Sequence, residues 1–129
     1  MALDKCRFVL ETLEEGFKHP EPVIFDNLWV EHIMPKTLGA DWQSYLGKDW
    51  ETIHDNFVHT LGNLTLIASS PNESIQNESF ADKKKDWYLL SNISLTKEIN
   101  QKWPEWTEKE ITERANLLAD RAIKVWPRP

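Results

Sequence analysis

The sequence predicts an α+β domain in which a small ββα unit is packed inside a mainly helical shell. Three observations carry that prediction. Phe25 to Ile33, rich in β-branched and aromatic residues, and Leu61 to Ala68, a run of Leu, Thr and Ile, have the character of short strands. Helical periodicity occupies most of the remaining chain. At 129 residues there is room for one hydrophobic core and not for two.

The elements follow in order. Cys6, Leu10, Leu13 and Phe17 repeat at the spacing of one helix face, with Asp4 as the expected cap and Gly16 near the end. His19-Pro20-Glu21-Pro22 breaks the helix and imposes an extended connection. The first strand run comes next, and Pro35 ends it. Leu38 to Asn56 is helical and rich in tryptophan, with Asp41 and Asp49 as expected caps of two short helices. Gly62 introduces the second strand run, and Ser69-Ser70-Pro71 marks the turn into the next helix. Phe80 to Leu90 and Leu95 to Lys102 read as helices, the latter stopped by Trp103-Pro104. Thr107 and Glu110 form a capping box for a last helix with Ile111, Ala115, Leu118, Ala122 and Val125 on one face.

Composition narrows the function classes. One cysteine, Cys6, excludes an internal disulfide framework and fits a reducing cytoplasm, and its helix face marks it as a buried small hydrophobe. No apolar segment approaches a membrane span and no signal-peptide pattern opens the chain, so a cytoplasmic protein is expected, with no membrane partner. Seven tryptophans point to an aromatic core. A formal charge of −6 weighs against a broad basic surface for nucleic acid, because phosphate contacts dominate such binding. Lysines cluster at Lys83-Lys84-Lys85, and much of the acid lies at Glu11, Glu14, Glu15 and Glu21.

The chemistry is concentrated in Val30-Glu31-His32-Ile33-Met34-Pro35, Gly62-Asn63-Leu64-Thr65-Leu66 and Asn72. Phosphodiester hydrolysis needs a water deprotonated near neutral pH, charge stabilisation on phosphoryl oxygens and help for the departing oxygen. His32 suits the base, since an unperturbed imidazole titrates near neutrality. A hard divalent ion, Mg2+ or Mn2+, prefers oxygen ligands such as the Glu31 carboxylate and the Asn72 amide. Adjacent strand residues point to opposite faces, so Glu31 and His32 serve one site only if the strand ends or bends there. Asn63 is suited to bonding backbone across the turn and orienting His32.

Glu31-His32-Ile33-Met34-Pro35, Leu61-Gly62-Asn63-Leu64-Thr65-Leu66, Asn72, Asn77, Phe80 and Lys83 together resemble the HNH (ββα-metal, His-Me finger) nuclease domain of GmrSD-type modification-dependent restriction endonucleases. The resemblance extends over both flanks, from Phe8-Val9-Leu10 to Trp126-Pro127. It implies a small ββα-metal (HNH) core embedded in a mainly helical domain. It also implies a metal-dependent DNA endonuclease of a restriction or phage-defence system. In that family a nuclease domain is paired with, or fused to, a ParB-like nucleotide-hydrolysing domain or subunit, and the DNA can carry modified bases. By the resemblance His32 is the general base, Glu31 and Asn72 bind one divalent ion, and Asn63 is the structural asparagine of the catalytic centre. Lys83 and His59 are the expected phosphate contacts. A single domain spanning 1–129 is expected, taken from or partnered with a larger restriction system.

Two departures stand out. HNH proteins more often carry aspartate where this chain has Glu31, and many use histidine where it has Asn72, which predicts weak metal binding and reliance on the scissile phosphate. No Cys-x-x-Cys pair is present for a structural zinc. The blander roles are a partly buried setting for His54 and His59, a helix end or surface for Asn77 (the reserve ligand), solvent for Lys84 and Lys85, and core for Trp42 and Trp50, which otherwise stack on bases. The rival function is a catalytically inactive HNH-fold module that binds DNA or a partner subunit. An RNA-cutting enzyme with the same base and metal is the third.

Overall fold

Two four-residue strands organise the molecule, whose structure, a computed structural model, describes residues 3–17, 24–68 and 73–127. Strand β1 (Trp29–His32) pairs antiparallel with β2 (Leu64–Ile67), and the register sets Glu31 opposite Thr65 and His32 opposite Leu64. Both strands are shorter than the runs that predicted them. Before β1 the chain turns, with Leu28 N–H donating to Phe25 O at 3.2 Å and the Arg7 guanidinium donating to the same carbonyl. Before β2, Leu61–Asn63 forms a 3-10 turn. These competing hydrogen bonds remove the flanking residues from the ladder.

Helices supply the rest: α1 (Leu3–Glu15), α2 (Ala40–Leu46), α3 (Trp50–Phe57), α4 (Glu73–Asn77), α5 (Phe80–Lys83), α6 (Ser94–Lys102) and α7 (Glu108–Val125). A π-helical stretch, Lys84–Tyr88, continues α5 and is marked by Leu89 N–H donating to Lys84 O at 2.9 Å. The α+β prediction therefore holds, with a two-stranded antiparallel sheet inside a helix-rich chain. Among the described residues no helix is long and apolar enough to cross a membrane.

Alternation along β2 serves two cores. Leu64 and Leu66 join Cys6, Leu10, Leu95 and Leu118, whereas Ile67 joins the aromatic cluster of Trp42, Phe80, Tyr88, Trp103 and Trp106. Helix α7 lies against the 3-10 turn so closely that a Cβ on Gly62 would come 2.4 Å from Ile111 O. No side chain fits there, which is why glycine opens the second strand run.

Several local expectations shift. The capping box of α7 is present, with Thr107 and Glu110 bonding reciprocally. Asp4 and Asp41 lie inside the first turns of α1 and α2, where a negative charge favours the helix dipole, instead of capping them. Asp49 occupies the N-cap position of α3 without a side-chain bond. On α7 the buried residues are Ile111, Arg114 and Leu118, while Val125 is exposed. Ser69, Ser70 and Pro71 lie outside the described residues.

Candidate active site

Glu31 and His32 close β1, and the backbone bends immediately after them. Lys83 Nζ donates to His32 O at 2.9 Å and Ile33 O at 3.1 Å. Consecutive carbonyls of an extended strand point in opposite directions, so one ammonium can hold both only where the chain turns. Asn63 grips the same bend from the other side. Its Oδ1 accepts from Met34 N–H at 2.8 Å and Trp106 Nε1–H at 3.0 Å, and its Nδ2 donates to Met34 O and Val58 O. The asparagine thus bonds backbone across the turn as expected, and it holds Met34, with no side-chain bond to His32. His54 Nε2–H donates to Pro35 O at 2.9 Å and steadies the next carbonyl.

The bend brings Glu31 and His32 to one small cavity of about 50 Å³, shared with Val30, Pro35, Lys36 and Gln76. That volume accommodates a water or an ion. A larger cavity, about 470 Å³, is framed by Trp42, Tyr45 and Phe80 and includes neither Glu31 nor His32.

Glu31 is buried, and only one of its oxygens is used. Oε2 accepts from Tyr88 Oη at 2.6 Å and from Lys83 Nζ at 3.2 Å, whereas Oε1 is buried with no hydrogen-bond partner. Burial raises the Glu31 carboxyl above its ordinary value, and Lys83 and Tyr88 pull it back part of the way. Burial lowers Lys83 and raises Tyr88 by the same cause. His32 is pushed down to about 4, first by burial and then by charge interactions with Lys36, His59, Lys83 and His54 around it. Its Nε2 lies 3.2 Å from Nδ1 of His59, the rings meeting edge to face. One of those two nitrogens carries the shared proton.

The expected site residues divide accordingly. Glu31, His32 and Asn63 come together at the bend, and His59 stands beside His32. His59 is exposed, not partly buried, because it follows the last turn of α3. Asn72 lies outside the described residues. Asn77 ends α4 in an exposed position, and Gln76 before it lines the cavity. Lys83 corrects an expectation: its side chain is fully buried and its ammonium is engaged by three protein oxygens, so it is not presented to a phosphate. Lys84 donates to Trp103 O and lies over the Phe80 ring. Trp42 is buried and donates to Glu78 O, as a core residue does.

Two residues were overlooked. Lys36 is exposed at the cavity rim, and its place directly after Pro35 was the available signal. Tyr88 carried none. Five residues after Lys83, it would stand roughly 140° away around an α-helix. The intervening π-helical stretch turns both side chains onto one carboxylate.

The chain matches the family model of the C-terminal domain of GmrSD restriction endonucleases over residues 2–121. It belongs to that family. None of the curated proteins with which it was compared matches it. As a GmrSD C-terminal domain it is a restriction endonuclease-related, nuclease-class protein. Among the described residues, no group of three or more His, Cys, Asp or Glu side chains converges on a metal position. Among the described residues, an oxygen donor suited to a hard cation is the unpartnered Oε1 of Glu31.

Proposed function

We propose that this GmrSD C-terminal domain is an HNH-type, metal-dependent DNA endonuclease with His32 as its general base. The observation that carries the reading is the bend at His32, where a neutral, buried imidazole and a carboxylate with one bare oxygen share a cavity. In this reading β1, β2 and α4 are the ββα-metal core. Glu31 through Oε1, together with Asn72, would hold one Mg2+ or Mn2+, which would supply charge stabilisation at the phosphoryl and leaving oxygens.

The chain's own residues do the rest. His32 donates its Nε2 proton to His59 and keeps the Nδ1 lone pair for a proton taken from water. The negative scissile phosphate raises the affinity of His32 for that proton, offsetting the burial and the neighbouring lysines that depress it. Asn63 and Lys83 hold the bend that aims the base. Lys36 at the cavity rim contacts a DNA phosphate, the role first expected of Lys83, and exposed His59 lies close enough to assist. Targeting to DNA, modified or not, falls to a ParB-like nucleotide-hydrolysing domain or subunit, since a chain of net charge −6 holds DNA weakly by itself.

The test is nicking of supercoiled plasmid in Mn2+ and in Mg2+ by the wild type and by His32→Ala. Metal-dependent nicking that falls by about 10²–10⁴-fold in the variant is expected, the range for losing a general acid–base. Equal rates would sink the base assignment. The rival reading, an inactive module, draws on the net acidity and on a Glu31 already neutralised by Lys83. It predicts no nicking and no Mn2+ binding.

A further inference from the structure

Glu31 is fastened by a single oxygen, and the fastening is specific. The Lys83 ammonium has three hydrogens, and they go to Glu31 Oε2, His32 O and Ile33 O. Tyr88 adds its hydroxyl to the same Oε2 and leaves Oε1 bare, although both residues are fully buried. An ion pair that served stability alone would be expected to satisfy both carboxylate oxygens, because a buried acceptor without a donor is costly. Here two donors from one helical segment converge on one oxygen, and the same ammonium also sets the bend that carries His32.

We propose that Lys83 and Tyr88 are positioning residues that clamp Glu31 through Oε2, so that the carboxylate offers a divalent cation one oxygen, Oε1, in a fixed direction. This rests on the metal-dependent nuclease reading. The clamp acts through Glu31 and touches neither DNA nor the reacting atoms. Hydrogen-bond partners of a metal-binding carboxylate govern its affinity by orienting it, and losing one typically costs 10–100-fold.

Lys83→Met would remove the backbone bend together with the clamp, so the decisive variant is Tyr88→Phe, which keeps the buried ring and deletes one hydrogen bond. Mn2+ binding to the chain is followed by loss of the free-ion paramagnetic resonance signal, for the wild type, Tyr88→Phe, Glu31→Gln and Tyr45→Phe. Tyr45 is the control, a hydroxyl bonded to Glu105 and Trp106 N–H outside the site. The expected result is a dissociation constant about tenfold higher in Tyr88→Phe, binding abolished in Glu31→Gln and no change in Tyr45→Phe. Nicking by Tyr88→Phe then returns towards the wild-type rate as Mn2+ is raised, which a general loosening of the core would not produce. Wild-type Mn2+ affinity in Tyr88→Phe, or an equal loss in Tyr45→Phe, overturns the clamp while the metal reading stands. If Glu31→Gln binds Mn2+ as the wild type does, the metal reading fails and takes the clamp with it.

Discussion

An imidazole accepts a proton at neutral pH only while its ring is neutral, and at His32 burial secures that state. The ring titrates near 4 in the folded chain, against about 6.5 for an unperturbed histidine. Between those values the unfolded chain binds more protons than the folded one, so stability falls as pH is lowered from 6.5 through 4. It is complete above 6.5. The loss traceable to His32 is about 3 kcal/mol at its fullest. Thermal melts at pH 7 and pH 4.5 should show a larger drop for the wild type than for His32→Ala. Equal drops would place the acid sensitivity in another group.

At the scale of elements, the start of helix α6 is completed by a residue remote in the chain. Helix α6 has Ile93 at its N-cap, a residue with no capping group. Its first amides are satisfied instead by Glu14 of α1, which accepts from Ser94 N–H and Leu95 N–H, both at 2.8 Å. Two hydrogen bonds to a buried carboxylate make Glu14 more consequential than an exposed cap. Glu14→Ala should lower the unfolding free energy by about 2–4 kcal/mol, measured by urea titration. Glu14→Gln, which keeps one acceptor, should lose less. A loss below about 0.5 kcal/mol for the alanine variant would mean that water replaces the cap without cost. The clamp belongs to the same scale, since one π-helical turn decides that Lys83 and Tyr88 meet on Glu31.

For the molecule as a whole, charge sets how it can meet DNA. The chain carries 15 basic and 21 acidic side chains. Lys83 is used internally, Lys84 faces Trp103 O, and Arg121 is paired with Glu98 through two bonds. Among the described residues, Lys36 is the exposed cation at the cavity. Binding of the isolated chain to a short duplex, followed by anisotropy across a salt series, should therefore give a shallow log–log slope, of magnitude about 3 or less. A slope of about 6 or more would reveal an extensive basic surface and remove the need for a targeting partner.

What the sequence determined by itself was local. The order of two strands among helices and the capping box at Thr107 and Glu110 follow from neighbouring residues, whereas Gly62 is required by Ile111 and Asn63 is engaged by Met34 and Trp106, all brought up by the fold. Periodicity and turn chemistry act over a few residues, so they leave a mark that can be read. The tertiary structure alone decided which charges are buried. Lys83 was expected to meet a phosphate, yet Glu31, 52 residues away, draws it inside. Arg114 sits buried on a helix face expected to be apolar, because Gly62 O and Leu64 O need a donor there. The partners of a buried charge are assembled by the fold, not by proximity in the chain, and at Arg114 they reach Nη1 alone, with Nε and Nη2 buried without a hydrogen bond.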